Sequence, residues 1–144
     1  MTTLDDVRFV IDENLLRMAK GIVGVRRDTA VFSFAPVEEL LPAGILDTEW
    51  IPVVGDRGWA VITSDRRLRT RPAEAGLAVT HKLKAVHLHG LGERSAWEQL
   101  VRLVSRWEAI ERQVQRHPDG PWWLSLRANG ARAMRFEPGA VERV

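Results

Sequence analysis

Gly58-Trp-Ala-Val-Ile-Thr-Ser-Asp-Arg-Arg67 is the stretch whose reading decides the fold. Four apolar residues, Trp59 to Ile62, run without a break and end in polar ones. A short continuous run of this kind suits a strand buried on both faces, as in a parallel sheet. Thr63, Ser64 and Asp65 then stand at the carboxyl end of that strand, where open α/β sheets bind their ligands. Arg66 and Arg67 follow, and with Arg69 and Arg71 they place four arginines within six residues. A carboxylate at a strand tip followed by cations suits a metal beside a phosphate. It suits equally an N-cap with a solvated first turn.

Arg8-Phe-Val-Ile-Asp-Glu-Asn14 repeats the arrangement. Phe9 to Ile11 read as a buried strand, and Asp12 ends it. Leu15, Leu16, Met18 and Ala19 predict a short helix with Gly21 as its stop. Val31-Phe-Ser-Phe34 reads as a second strand, and Pro36 opens a weak helix that Pro42 and Gly44 break. Asp47 is a good N-cap for the next helix, although Pro52 pushes the expected start a residue or two later. After Asp65, residues 66–76 are helix-compatible but interrupted by Pro72. Lys84 to Leu88 predict a further strand.

The carboxyl-terminal third reads differently. Ser95-Ala-Trp-Glu98 is a capping box. Behind it Trp97, Leu100, Val101, Val104, Trp107, Ile110 and Val114 keep helical spacing, which predicts one long helix over 95–116. His117-Pro-Asp-Gly-Pro121 ends it. Asn129-Gly130 then predicts a β-hairpin over 122–136 with a type I′ turn. In that register Trp123 faces Phe136 and Arg127 faces Arg132. Strands alternating with helices favour a three-layer α/β/α sandwich on a mainly parallel sheet, with the hairpin at its edge or covering one end.

The bulk numbers narrow the class. A chain of 144 residues fits one domain, here 1–144, with a real core. The absence of cysteine excludes disulfides and thiolate metal sites. The longest apolar run is far short of the ~20 residues that span a bilayer. Met1 to Asp6 lack a basic segment followed by an apolar one, so no secretory signal is expected and a cytoplasmic location is the default. A net charge of +2 excludes a polycation. Eighteen arginines stand against three lysines. Arginine forks suit phosphate, and arginine richness also follows from a genome's codon usage.

Three aspartates occupy comparable places. Asp12 and Asp65 end two strands, and Asp47 opens the helix leading into the second. If those strands are neighbours, the acids share one edge. Crowded carboxylates repel unless one keeps its proton or a cation joins them. A hard ion, Mg²⁺ or Mn²⁺, suits such oxygen ligands and leaves positions for water and a phosphate. Arg66 and Arg67 would grip neighbouring phosphates.

Ile11-Asp12-Glu13-Asn14-Leu15, Asp47-Thr-Glu-Trp50 and Val61-Ile-Thr-Ser-Asp65-Arg66 together resemble the PIN and PIN-like domains, a family that includes the VapC-type toxin ribonucleases. The resemblance covers residues 8–90 and leaves the long helix and hairpin unexplained. It implies Mg²⁺- or Mn²⁺-dependent hydrolysis of RNA, with Asp12, Asp47 and Asp65 as catalytic metal-binding acids. Thr63 or Ser64 would assist, and Thr63, Arg66, Arg67 and Arg69 would contact nucleic acid. It also implies an antitoxin protein as a partner; a homodimer stays open, and a membrane partner is not expected. Many relatives carry a fourth acid, for which Glu38 and Glu39 lie in the right region. Glu13 is expected to face solvent.

Other readings stand beside this one. Each aspartate serves equally as a helix cap. A phospho-receiver domain fits poorly, because Ala35-Pro36 follow the second strand where an aspartate is needed and Lys82 and Lys84 precede their strand. A PIN-like scaffold without catalysis stays open. His87 and His89 share a face if their strand extends so far, but no third metal ligand is evident. Trp50, Trp59, Trp97 and Trp107 read as core, while one of Trp122 and Trp123 is expected to face outward as a partner or RNA surface.

Overall fold

A computed structural model describes residues 2–141. Met1 and residues 142–144, which the single-domain expectation also spans, lie outside the described residues. The apolar runs become strands β1 (Phe9–Ile11), β2 (Thr29–Val31), β3 (Ala60–Thr63) and β4 (Lys84–Leu88), all buried. β5 (Trp122–Arg127) and β6 (Gly130–Met134) follow near the carboxyl terminus. One six-stranded sheet has the order β2-β1-β3-β4-β5-β6, parallel except for the antiparallel β5–β6 pair. β1 and β3 are direct neighbours, with Ile11 opposite Ile62.

Helices α1 (Leu16–Val23), α2 (Asp47–Asp56), α3 (Pro72–Thr80), α4 (Ala96–Ser105) and α5 (Trp107–Arg116) cover the two faces. Because side chains alternate along a strand, the sheet feeds two cores. Val10, Val61, Ala85 and Trp123 pack with Trp50, Ile51 and Val54 of α2 and Ala75 and Ala78 of α3. Phe9, Ile11, Ile62, Val86 and Leu124 pack with Met18, Ala19 and Ile22 of α1, Leu103 of α4 and Ile110 of α5. The result is the three-layer α/β/α sandwich expected from the alternation of elements.

Several local expectations are corrected. α1 runs past Gly21, which does not stop it; the bare Cα there faces Leu100, and a Cβ would meet Leu100 Cδ2 at 2.7 Å. The glycine lets α1 and α4 approach. The second strand lies earlier than expected, and the weak helix after Pro36 is a series of turns. α2 starts at Asp47 despite Pro52, with Leu46 at the cap position and the Glu49 carboxylate accepting the Leu46 N–H at 3.1 Å. Pro52 removes one internal hydrogen bond, which the buried Trp50, Ile51 and Val54 outweigh.

The expected long helix is two, parted at Arg106, whose backbone (φ −109, ψ 7) leaves the α region. Its guanidinium donates to the carbonyls of Arg127 at 3.3 Å and Ala128 at 2.6 Å, pinning the break to the hairpin. The break also resets the phase of the apolar stripe. Gln99 and Leu103 are buried, whereas Trp97 is 72% exposed and Val101 and Val104 face solvent with it. Trp107 packs edge-on against Phe9 at 5.0 Å, with the Arg26 guanidinium 4.3 Å over its ring. Arg26 and Arg8 both pair with Asp28 and with Glu111, tying α5 to the start of the sheet.

The hairpin register differs as well. Trp123 faces Met134, not Phe136, and Ser125 faces Arg132, so Arg127 lies opposite Gly130 and does not face Arg132. Neither Trp122 nor Trp123 faces outward: they point to opposite faces of β5, and both faces are covered.

Candidate active site at the carboxyl edge of the sheet

The chain leaves β1 at Asp12, whose N–H donates to Ile62 O at 3.0 Å, and turns at once into a 3₁₀ turn over Glu13–Leu15. The Asp12 carboxylate caps that turn, accepting the Asn14 N–H at 3.2 Å. Asp65 does the same for the 3₁₀ turn Arg66–Arg69, accepting the Arg67 N–H at 3.0 Å and Arg67 Nε–H at 3.3 Å. Between them sits the fully buried Thr63. Its hydroxyl accepts the Asp65 N–H at 3.1 Å and reaches Asp12 Oδ2 at 3.4 Å. Capping and convergence are thus both present in the same side chains.

Asp47 is the first residue of α2, and its Oδ1 accepts the indole N–H of the buried Trp50 at 2.8 Å. Glu13 does not simply face solvent: its Oε1 accepts the Gly44 N–H at 3.3 Å, which ties the loop after β1 to the turn before α2. Glu38 and Glu39 are exposed on the turns over 32–41.

The electrostatics of Asp12 register this crowding. Burial holds its carboxyl above the ordinary carboxylate range; the Asn14 N–H opposes that, and the charges of Asp47, Glu13 and Asp65 add to it. Asp47, Asp65 and Glu13 thus all act on Asp12. Glu13, next to Asp12 at the strand end, is among the charges that act on Asp12, whereas Glu38 and Glu39, the expected fourth acids, are exposed on their turns.

Among the described residues, no three His, Cys, Asp or Glu side chains converge tightly enough to hold a metal ion between them. The donor set is nonetheless all carboxylate oxygen, which fits Mg²⁺ or Mn²⁺ in kind. Asp47 and Asp65 each give Oδ1 to a local donor and keep a second oxygen. The acids surround Asp12 without closing on a common point.

The expected nucleic-acid contacts differ in their setting. Arg67 is exposed beside Asp65, and Arg66 lines the groove that runs from Asn14 and Asp65 to His87 and His89. Arg69 turns inward, donating to Arg135 O at 2.9 Å. Thr63 lies wholly beneath the surface.

Across the sheet these residues form part of a row. The register places Thr63 beside His87 and His87 beside Ser125, and Asp12 adjoins Thr63 on the other side. Partners in parallel strands point to the same face, so Asp12, Thr63, His87 and Ser125 make one polar row across four strands. His87 donates its Nε2–H to Ser64 O at 3.3 Å and tilts over Trp123 at 4.9 Å. Burial lowers its pKa to about 4, so the ring is neutral at pH 7. His89 stands next to it, ring centroids 6.0 Å apart, with no third ligand at hand among the described residues.

A model of the PIN like domain matches residues 7–90, more than half of the chain. The chain belongs to the PIN-like domain family. No curated protein and no solved structure matches it. The matched part of the PIN-like domain holds β1 to β4 and all four acids; α4, α5 and the hairpin lie beyond it. No helix among the described residues is long and apolar enough to cross a membrane.

Proposed function

We propose that this PIN-like domain is a ribonuclease that hydrolyses RNA phosphodiester bonds with Mg²⁺ or Mn²⁺, and that it serves as the toxin of a toxin–antitoxin pair. The observation that carries the first part is the placing of Asp12 at the carboxyl edge of a parallel sheet, within electrostatic reach of Asp47, Asp65 and Glu13. Asp12 would hold the ion directly, with Asp47 and Asp65 completing the shell. A bound divalent ion neutralises the acids, polarises a phosphate and lowers the pKa of a bound water. The protein's part is to hold Asp12 in place through Thr63 and Asn14 and to receive the RNA backbone along the groove lined by Arg66 and Arg67. The toxin role rests on the family resemblance alone.

A scaffold without catalysis is the second reading. It is favoured by the acids' engagement with local donors and by the absence of a closed three-ligand cluster among the described residues. Cleavage of structured RNAs with Mn²⁺ or Mg²⁺ separates the two. The nuclease reading expects cutting in wild type that is lost in folded Asp12→Asn and Asp65→Asn. Absence of cutting together with no Mn²⁺-induced thermal shift favours the scaffold.

A further inference from the structure

Beside the acids the carboxyl edge holds a second depression, of about 230 Å³. Pockets for drug-sized molecules run to ~300–1,000 Å³, so this one suits a single small group. Its polar wall comes from the turn after β3, from β4 and the residue just past it, and from β5: Arg66 and Arg69, His87 and His89, Ser125 and Arg127. Trp123 lies at its base. The last two polar residues stand outside the part of the chain that matches the family model.

Among the described residues, two buried side-chain polar atoms lack a hydrogen-bond partner, Ser125 Oγ and Arg127 Nε, and both belong to this wall. Ser125 is 1% exposed. Buried donors are almost always matched, because leaving one unmatched destabilises the fold. A hydroxyl and a guanidinium N–H side by side require an acceptor. With its Nε2–H directed at Ser64 O, the neutral His87 ring keeps Nδ1 as an acceptor, but neither Ser125 Oγ nor Arg127 Nε hydrogen-bonds to it. Three guanidinium groups exclude a cation and favour an anion whose oxygens match their forks.

We propose that this pocket binds a phosphate group, with Ser125 Oγ–H and Arg127 Nε–H donating to its oxygens and Arg66 and Arg69 supplying charge. It is separate from any phosphate held at Asp12. From β1 to β5 there are three strand spacings, about 14 Å at ~4.8 Å each. The pocket shares Arg66, His87 and His89 with the groove that runs to Ser64 and Asp65, so one strand of RNA can occupy both. Only the source of the phosphate rests on the ribonuclease reading; the pocket's chemistry does not.

The test is a calorimetric titration in EDTA, where no cleavage occurs. The probes are inorganic phosphate and one short RNA bearing either a 5′-phosphate or a 5′-hydroxyl. Arg127→Gln should weaken binding about tenfold or more and Ser125→Ala about threefold to tenfold, as loss of a charged and a neutral hydrogen bond implies. Arg112→Gln, an exposed arginine of α5 outside both grooves, should bind as wild type does. Tighter binding of the 5′-phosphorylated RNA assigns a terminal phosphate, equal binding an internal diester, and binding of inorganic phosphate alone a free anion. Ser125→Ala should melt no lower than wild type without phosphate, because it removes an unmatched hydroxyl. Equal affinities in wild type, Arg127→Gln and Ser125→Ala overturn the proposal, as does failure of every probe to bind. Mn²⁺-dependent cleavage, scored separately, sinks or sustains the nuclease reading without touching this result.

Discussion

The Thr63 hydroxyl stands 3.4 Å from Asp12 Oδ2 while accepting the Asp65 N–H at 3.1 Å. One buried group thereby sets the positions of two acids on neighbouring strands. Thr63→Val keeps the shape and removes both interactions. It should cost about 1–3 kcal/mol, the penalty of leaving the Asp65 N–H unmatched. Metal-dependent cleavage should fall about 10- to 100-fold, the range found when a group supporting a metal ligand is lost. Urea melts and cleavage rates of the same preparation check both.

Asp12 predicts a pH dependence of defined sign. Its folded pKa lies above the 3.8 of an ordinary aspartate, so its protonated form favours the fold. That contribution is present below 3.8 and is lost as pH rises through the folded value. At neutral pH the ionised, crowded carboxylate therefore opposes folding. Asp12→Asn should be more stable than wild type at pH 7, with the difference shrinking as pH falls toward 3.8. Asparagine still caps the Asn14 N–H. Thermal melts of the pair across that range measure it, and a variant less stable at pH 7 than at acid pH relative to wild type would contradict it.

His87 acts in the opposite direction. Its folded pKa of about 4 lies below the 6.5 of a free imidazole. The unfolded chain takes up the proton first, so stability is full above 6.5 and drains away as pH falls toward 4. A shift of this size is worth about 3 kcal/mol. His87→Gln should flatten the acid limb of the stability curve between those values, read by denaturant midpoints at each pH.

The two tryptophans of the expected stripe should behave unequally. Trp97→Gln should change stability by less than about 0.5 kcal/mol, because the ring is mostly in water. Trp107→Ala should cost about 3–5 kcal/mol, since it removes the contact with Phe9 and strips the partner of Arg26 and Glu111. Equal effects would mean that α4 packs in the phase first read from the sequence.

The placement of Asp12 and Asp65 at neighbouring strand ends, and of Asp47 at a helix start, was legible because its signals are local: an unbroken apolar run, then an aspartate, twice over and joined by a helix start. The same locality explains what was missed. Trp97 and Trp107 share a helical phase only if the helix is continuous, and nothing in the spacing announces that Arg106 will turn away to hold the hairpin. Ser125 and Arg127 become neighbours of His87 only through the β4–β5 pairing, which joins residues about forty positions apart. Glu13 was read as solvent-facing because its partner, the Gly44 N–H, lies in a turn whose place was unknown.

That β4–β5 pairing also separates two kinds of boundary. The stretch recognisable by descent stops at residue 90, but β4 is then an interior strand with one side bare. All five of its residues are buried, and without β5 its free N–H and C=O groups would form a sticky edge on which Lys84, at one end, is the one charged residue. The inherited unit is thus not a self-sufficient one. A fragment cut at residue 90 should aggregate, whereas the chain through the hairpin carries β6 as its outer strand. Its exposed Arg132, Ala131 and Ala133 form a far less adhesive border.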